Sequence, residues 1–116
     1  MKPHDERPIV YIAAPYTVPD CISNTHDAIM AAEKIEATGL LTSYVPHMNM
    51  LWHLVQPHDV DFWYSYDLAF LARSDALYRL PGDSVGADDE AIYAGKRLIP
   101  VFYAFDPLIE WAKEYE

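Results

Sequence analysis

Ile9-Val10-Tyr11-Ile12-Ala13 is an unbroken apolar run, rich in β-branched residues and too short for a helix. That is the pattern of a strand buried on both faces, and such a strand needs cover on each side. The rest of the chain supplies the cover by alternation. Ser23 or Asn24 offers an N-cap, and Ala28, Ala31, Ala32 and Ile35 then recur at helical spacing until Gly39. Leu40 to Val45 reads as a second strand. Pro46 to Pro57 holds two prolines and two histidines with His58 just beyond, and no sustained period; a long, lid-like loop is expected there. Asp59 or Asp61 caps a helix to about Arg73, followed by a third strand from Asp75 to Leu80. Ser84 then caps a helix from Val85 to Ala94 that Gly95 ends. Arg97 to Tyr103 is a fourth strand, and Asp106 caps a last helix carrying Leu108, Ile109 and Ala112. Strands alternating with helices imply right-handed βαβ units. The expectation is one domain over residues 1–116, an α/β three-layer sandwich with a short parallel sheet, Rossmann/flavodoxin-like.

Charge narrows the partners. Eighteen acidic residues against eight basic ones give a formal charge of −10, which repels phosphate backbones and anionic lipid, so neither a nucleic-acid polymer nor a membrane is expected. Cys21 is the lone cysteine, and the apolar run Ile9 to Ala14 is too short for a signal segment; both fit a cytoplasmic protein. Nine Tyr, three Trp and four Phe are many for this length and suggest a self-association surface or a stacking pocket. Phe62, Trp63, Tyr64 and Tyr66 lack basic neighbours, so they read as packing or subunit contact rather than a nucleic-acid platform. His47, His53 and His58 with Asp59 and Asp61 match no zinc spacing. Neither a metal nor a cofactor is expected, and His47 reads as a rim residue at the end of the second strand.

In open parallel sheets, ligands bind beyond the strand carboxyl ends, where strand order reverses. The loops arriving there begin at Ala14, Pro46 and Pro81. Ser84 as N-cap places Gly86 and Ala87 at the second and third helical positions. No Glu or Gln stands at the third to complete a capping box, which leaves first-turn N–H groups open to an anion. Glu90 leans back over Gly86 and Ala87, both small, leaving room for a pocket, and the helix start favours its ionised form. Asp88 and Asp89 read as solvated helix surface. Asp67 lies between Trp63 and Phe70 on its helix face; burial against rings would raise its pKa. One ionised and one protonatable carboxylate are equipment for cleaving a glycosidic bond, although most carboxylates are only surface charges.

The ordered set Val10-Tyr11-Ile12-Ala13-Ala14-Pro15-Tyr16, Asp67-Leu68-Ala69-Phe70-Leu71 with Ser74-Asp75-Ala76, and Asp83-Ser84-Val85-Gly86-Ala87 with Glu90 and Gly95 resembles the nucleoside 2-deoxyribosyltransferase-like proteins, in particular their short bacterial and phage branch related to nucleoside 5′-monophosphate N-glycosidases. The resemblance implies that Glu90 is the nucleophile at the anomeric carbon, that Asp67 contacts or helps release the base, and that Tyr11 orients the nucleophile or lines the sugar site. It also implies that Ser84, where the nucleoside transferases tend to carry Asp, meets a phosphate together with the Gly86 N–H and Thr17, with Ala14 and His47 beside them. A homodimer or larger homo-oligomer follows from the same resemblance. The activity so implied is that of an N-glycosidase or deoxyribosyltransferase on a nucleotide or nucleoside. Two alternatives stand beside it: a catalytically silent nucleotide-binding or sensing module on the same fold, and an assembly protein using its aromatic surface. Tyr11 also has a plain reading as a core tyrosine with its hydroxyl satisfied.

Overall fold

The computed structural model describes residues 2–116; Met1, the first residue of the expected domain, lies outside them. Four strands, β1 (Ile9–Ala13), β2 (Thr42–Tyr44), β3 (Ala76–Arg79) and β4 (Val101–Phe102), form one parallel sheet in the order β2-β1-β3-β4. Five helices connect and cover it: α1 (Cys21–Glu36), α2 (Met50–Val55), α3 (Val60–Leu71), α4 (Val85–Lys96) and α5 (Phe105–Glu114). The three-layer α/β arrangement is the one expected. Strand order reverses between β1 and β3, so the crevice of the sheet lies above those two strands.

Strand β1 sorts its side chains by parity. Val10 and Ile12 pack with Ala28, Ala32 and Ile35 of α1 and with Leu108, Ile109 and Ala112 of α5. Tyr11 and Ala13 point the other way, with Leu77, Leu71 of α3, and Ala87 and Ala94 of α4. From Val10 to Ala13 both faces of β1 are covered, as its continuous apolar sequence requires.

Several boundaries differ from expectation. Asp20, not Ser23 or Asn24, caps α1, accepting from the Ser23 N–H at 3.0 Å. Asn24 is freed to hold the preceding loop through the carbonyls of Tyr16 (2.9 Å) and Val18 (3.0 Å). Asp59, one of the two caps expected, does cap α3, accepting from Phe62 N–H at 2.8 Å. Asp106 sits inside α5, whose N-cap is Ala104 with no side-chain bond. The expected loop from Pro46 is instead a 3₁₀ turn, Pro46–Asn49, followed by α2. Fewer than two turns cannot show a helical period, and what holds α2 is aromatic packing. Trp52 meets Trp63 and Tyr66 edge-on, with ring centroids 5.2 and 5.4 Å apart.

Gly95 does not end α4. The helix runs on to Lys96, and Leu98 takes the left-handed conformation (φ 62°). Leu98 N–H donates to Gly95 O at 3.1 Å and Ile99 N–H to Ala94 O at 2.9 Å, the paired bonds of a Schellman ending. This termination consumes residues expected in the fourth strand, so β4 keeps only two. The second strand shortens to three because only Thr42, Ser43 and Tyr44 stand opposite β1. Among the described residues, no helix is long and apolar enough to cross a membrane.

Candidate functional site

A cavity of about 830 Å³ opens at the carboxyl ends of β1 and β3. The loop after β1 brings Ala14, Pro15 and Thr17, the 3₁₀ turn brings His47 and Asn49, α3 brings Trp63, Tyr64 and Asp67, and α4 brings Ser84, Gly86, Ala87 and Glu90. Thus seven of the eight site residues named from sequence, Glu90, Asp67, Ser84, Gly86, Ala14, Thr17 and His47, line one space. Tyr11 does not. It is wholly buried beneath the cavity, and its hydroxyl donates to Glu90 Oε2.

Gly82 shapes the crevice. Its φ of +114° is one that side-chain-bearing residues rarely adopt, and a Cβ there would come 2.8 Å from Pro15 Cγ. The loop leaving β3 therefore rests directly on the loop leaving β1. Ser84 caps α4 as expected, its Oγ accepting from Ala87 N–H at 3.1 Å. The N–H groups of Val85 and Gly86 find no protein acceptor among the described residues, and a Cβ on Gly86 would meet nothing nearer than Ser84 Oγ at 4.0 Å. The floor of the cavity is open above Glu90.

The two carboxylates have similar environments. Burial pushes Glu90 up to about 7; the Tyr11 hydroxyl opposes that, the Asp67 charge adds to it, and Arg79 opposes it. The expectation that the helix start keeps Glu90 readily ionised is therefore corrected: loss of water outweighs the first-turn dipole. Burial likewise pushes Asp67 up to about 7, in the direction expected, against a 2.8 Å bond from Asn49 Nδ2. With both groups pushed up to about 7, the two carboxyls hold about one proton between them near neutral pH. Burial also lifts Tyr44 to about 12, with Asp67 adding to it, and drives Tyr11 upward. His47 is buried, which lowers its pKa, and its Nε2 lies 2.8 Å from the Pro15 carbonyl. The neutral ring thus donates from Nε2 to that carbonyl and ties the 3₁₀ turn to the loop after β1.

Sequence reasoning missed Asn49, the partner of Asp67, which nothing in the Pro- and His-rich segment marks out. It missed the 2.8 Å bond from Trp63 Nε1–H to His53 Nδ1, which fixes one wall. Asp88 is solvated surface as read, but it also holds the buried Arg79 at 2.9 Å, a partnership that reasoning missed. A lone Arg ending an otherwise apolar strand was a legible signal. Among the described residues, no three His, Cys, Asp or Glu side chains are grouped to hold a metal ion. His47 bonds the Pro15 carbonyl, whereas His53 and His58 share Trp63 and are joined by the His58 N–H donating to His53 Nδ1 at 3.3 Å; His58 also stacks on Phe62 with centroids 3.8 Å apart.

No family model and no curated protein sequence matches the chain. Among solved structures it is similar to a 2-deoxyribosyltransferase from the psychrotolerant bacterium Bacillus psychrosaccharolyticus, with a TM-score of 0.58 over 93% of this chain and 92% of that one. The chain has a nucleoside 2-deoxyribosyltransferase-like fold. Identity between the two is 15%, so the deoxyribosyltransferase-like likeness concerns the path of the chain, and the chemistry rests on the residues themselves.

Proposed function

We propose that this protein cleaves or exchanges the N-glycosidic bond of a nucleoside or nucleoside 5′-monophosphate, with Glu90 as nucleophile. The observation carrying the reading is the convergence of Glu90 and Asp67, from different helices, on one cavity above the crevice of the sheet. In the first step, Glu90 Oε attacks the anomeric carbon. The carbon–nitrogen bond breaks, its electron pair leaves with the base, and Asp67 supplies the proton the base requires. A glycosyl ester on Glu90 remains. Water or a second base then attacks the same carbon, Asp67 accepts the proton, and the Glu90 carboxylate is released. Tyr11 donates to Glu90 and orients it from below.

The Ser84 hydroxyl, whose oxygen already accepts from Ala87, keeps its own hydrogen to donate into the cavity. With the N–H groups of Val85 and Gly86 it suits a 5′-oxygen or phosphate, with Thr17, Ala14 and His47 along the same wall. A protein of this kind works as a homodimer or larger assembly through its exposed aromatic helices, in the cytoplasm, without metal or cofactor.

Purified protein incubated with matched nucleosides and 5′-monophosphates is expected to release free base, or to swap bases when a second is supplied, as read by chromatography. Glu90→Ala should lower the rate at least about 10³-fold. The rate should peak where the pair holds one proton and fall on both sides of about pH 7. A nucleotide that raises the melting temperature but is neither cleaved nor exchanged would instead identify a silent binding module.

A further inference from the structure

Arg79 is the last residue of β3, and its register places it on the α3/α4 side of the sheet, two residues after Leu77 of that cluster. It is a nearly fully buried cation in a chain of charge −10. Its Nη1 donates to Leu80 O, its Nη2 to Gly82 O and Asp88 Oδ1, both at 2.9 Å, and its Nε to Asp88 Oδ1 at 3.3 Å. Every bond runs either to the loop that bears Gly82 or to the first turn of α4. A buried guanidinium persists only when its donors are met in this way. The fork therefore ties the end of β3, the loop resting on Pro15, and the helix carrying Glu90 into one unit.

We propose that Arg79 is a positioning residue of the candidate site, holding the β3–α4 loop in place and setting one positive charge on the Glu90 side of the sheet, with Asp88 as its regulator. The inference rests on the reading of Glu90 as the reacting group. The other charged or titratable groups around Glu90 are Tyr11 from β1, Tyr44 from β2, Tyr64 and Asp67 from α3, and Asp89 on α4. All of these are acids. Arg79 is the cation that acts on Glu90, and the side chain of Asp88, two-thirds exposed, offsets that cation from the solvent side. A scaffold role alone predicts that losing either partner loosens the same loop in the same way. A charge role predicts opposite outcomes.

The test is a carbon-13 carboxyl NMR titration of full-length protein, with the Glu90 signal assigned by its absence in Glu90→Gln. It needs no substrate, so it reads Arg79 even if turnover is never found. Arg79→Met should move the Glu90 midpoint upward, and Asp88→Asn should move it downward, each by on the order of one pH unit or less. Arg79→Lys should restore the midpoint toward the parent value while leaving the loop bonds incomplete. Should Arg79→Met fail to fold, Asp88→Asn alters only an exposed side chain and still decides the sign. Equal midpoints in parent and Asp88→Asn, or shifts of both variants in the same direction, overturn the proposal. Where turnover is present, the acidic limb of the rate profile should follow the NMR midpoints, with the change in kcat rather than KM.

Discussion

The two faces of the sheet are built from alternate residues of the same strand, and they are made of different material. On the α1/α5 side, Val10 and Ile12 pack in a cluster of buried Ala, Ile and Leu side chains. On the α3/α4 side, Tyr11 sends a hydroxyl to a buried carboxylate, a second carboxylate stands across the cavity, and an arginine is enclosed at the strand end. The first face gains its free energy from burial and packing. The second gives some of that up, since ionisable groups removed from water are held in a less favourable state. The contrast separates two tasks: an apolar core on one side of β1 supports a costly polar cavity, the candidate site, on the other.

The largest effect expected falls on the apolar face. Ile12→Ala should lower unfolding free energy by about 4 kcal/mol, read by denaturant titration, while turnover per folded molecule stays at the parent level. If activity disappears along with stability in the fraction still folded, the two faces are not separable.

The pH dependence of stability should come from the other face. Burial raises Glu90 from 4.5 to about 7 and Asp67 from 3.8 to about 7, so the folded protein holds these protons more tightly than the unfolded chain does. Their contribution is complete below about pH 4 and is lost as pH rises to about 7, on the order of 3 kcal/mol for Glu90 alone. Glu90→Gln should flatten that slope in urea melts taken between pH 4 and 8. An unchanged slope would mean that Glu90 is better solvated than its surroundings indicate.

Tyr11→Phe removes one buried donor and should cost about 1 kcal/mol in the same melts. It should also raise the Glu90 midpoint, because the lost bond favours the carboxylate. A core tyrosine with no part in the site would show the first effect without the second. The smallest change expected lies at the far end of α4. Leu98→Gly relieves a left-handed backbone on an exposed residue and should add about 0.5 kcal/mol, leaving the rate untouched.

Much of this was readable from residues alone. The Ile9–Ala13 run forced a doubly covered strand, and the alternation of elements gave the layers. Ser84, small Gly86 and Glu90 at helical spacing pointed to residues that line one cavity. What escaped notice depended on contacts between distant segments. Leu98 was hidden because a glycine three residues earlier is the more usual helix stop. α2 was hidden because its stability resides in Trp52 against α3 rather than in its own period. The Asn49–Asp67 and Arg79–Asp88 pairs were hidden because no local rule names the partner of a lone polar side chain. The ionisation of Glu90 was misjudged for a related reason: the helix start is visible in sequence, whereas the depth of burial is not.

Gly82 lying against Pro15 has a consequence for how molecules enter. A Cβ on Gly82 would stand 2.8 Å from Pro15 Cγ, so any residue larger than glycine there would push the two lips apart. The width of the mouth on this side is thus tied to the missing side chain at one position. The opposite wall is built otherwise, from a six-residue helix that leans on a cluster of rings.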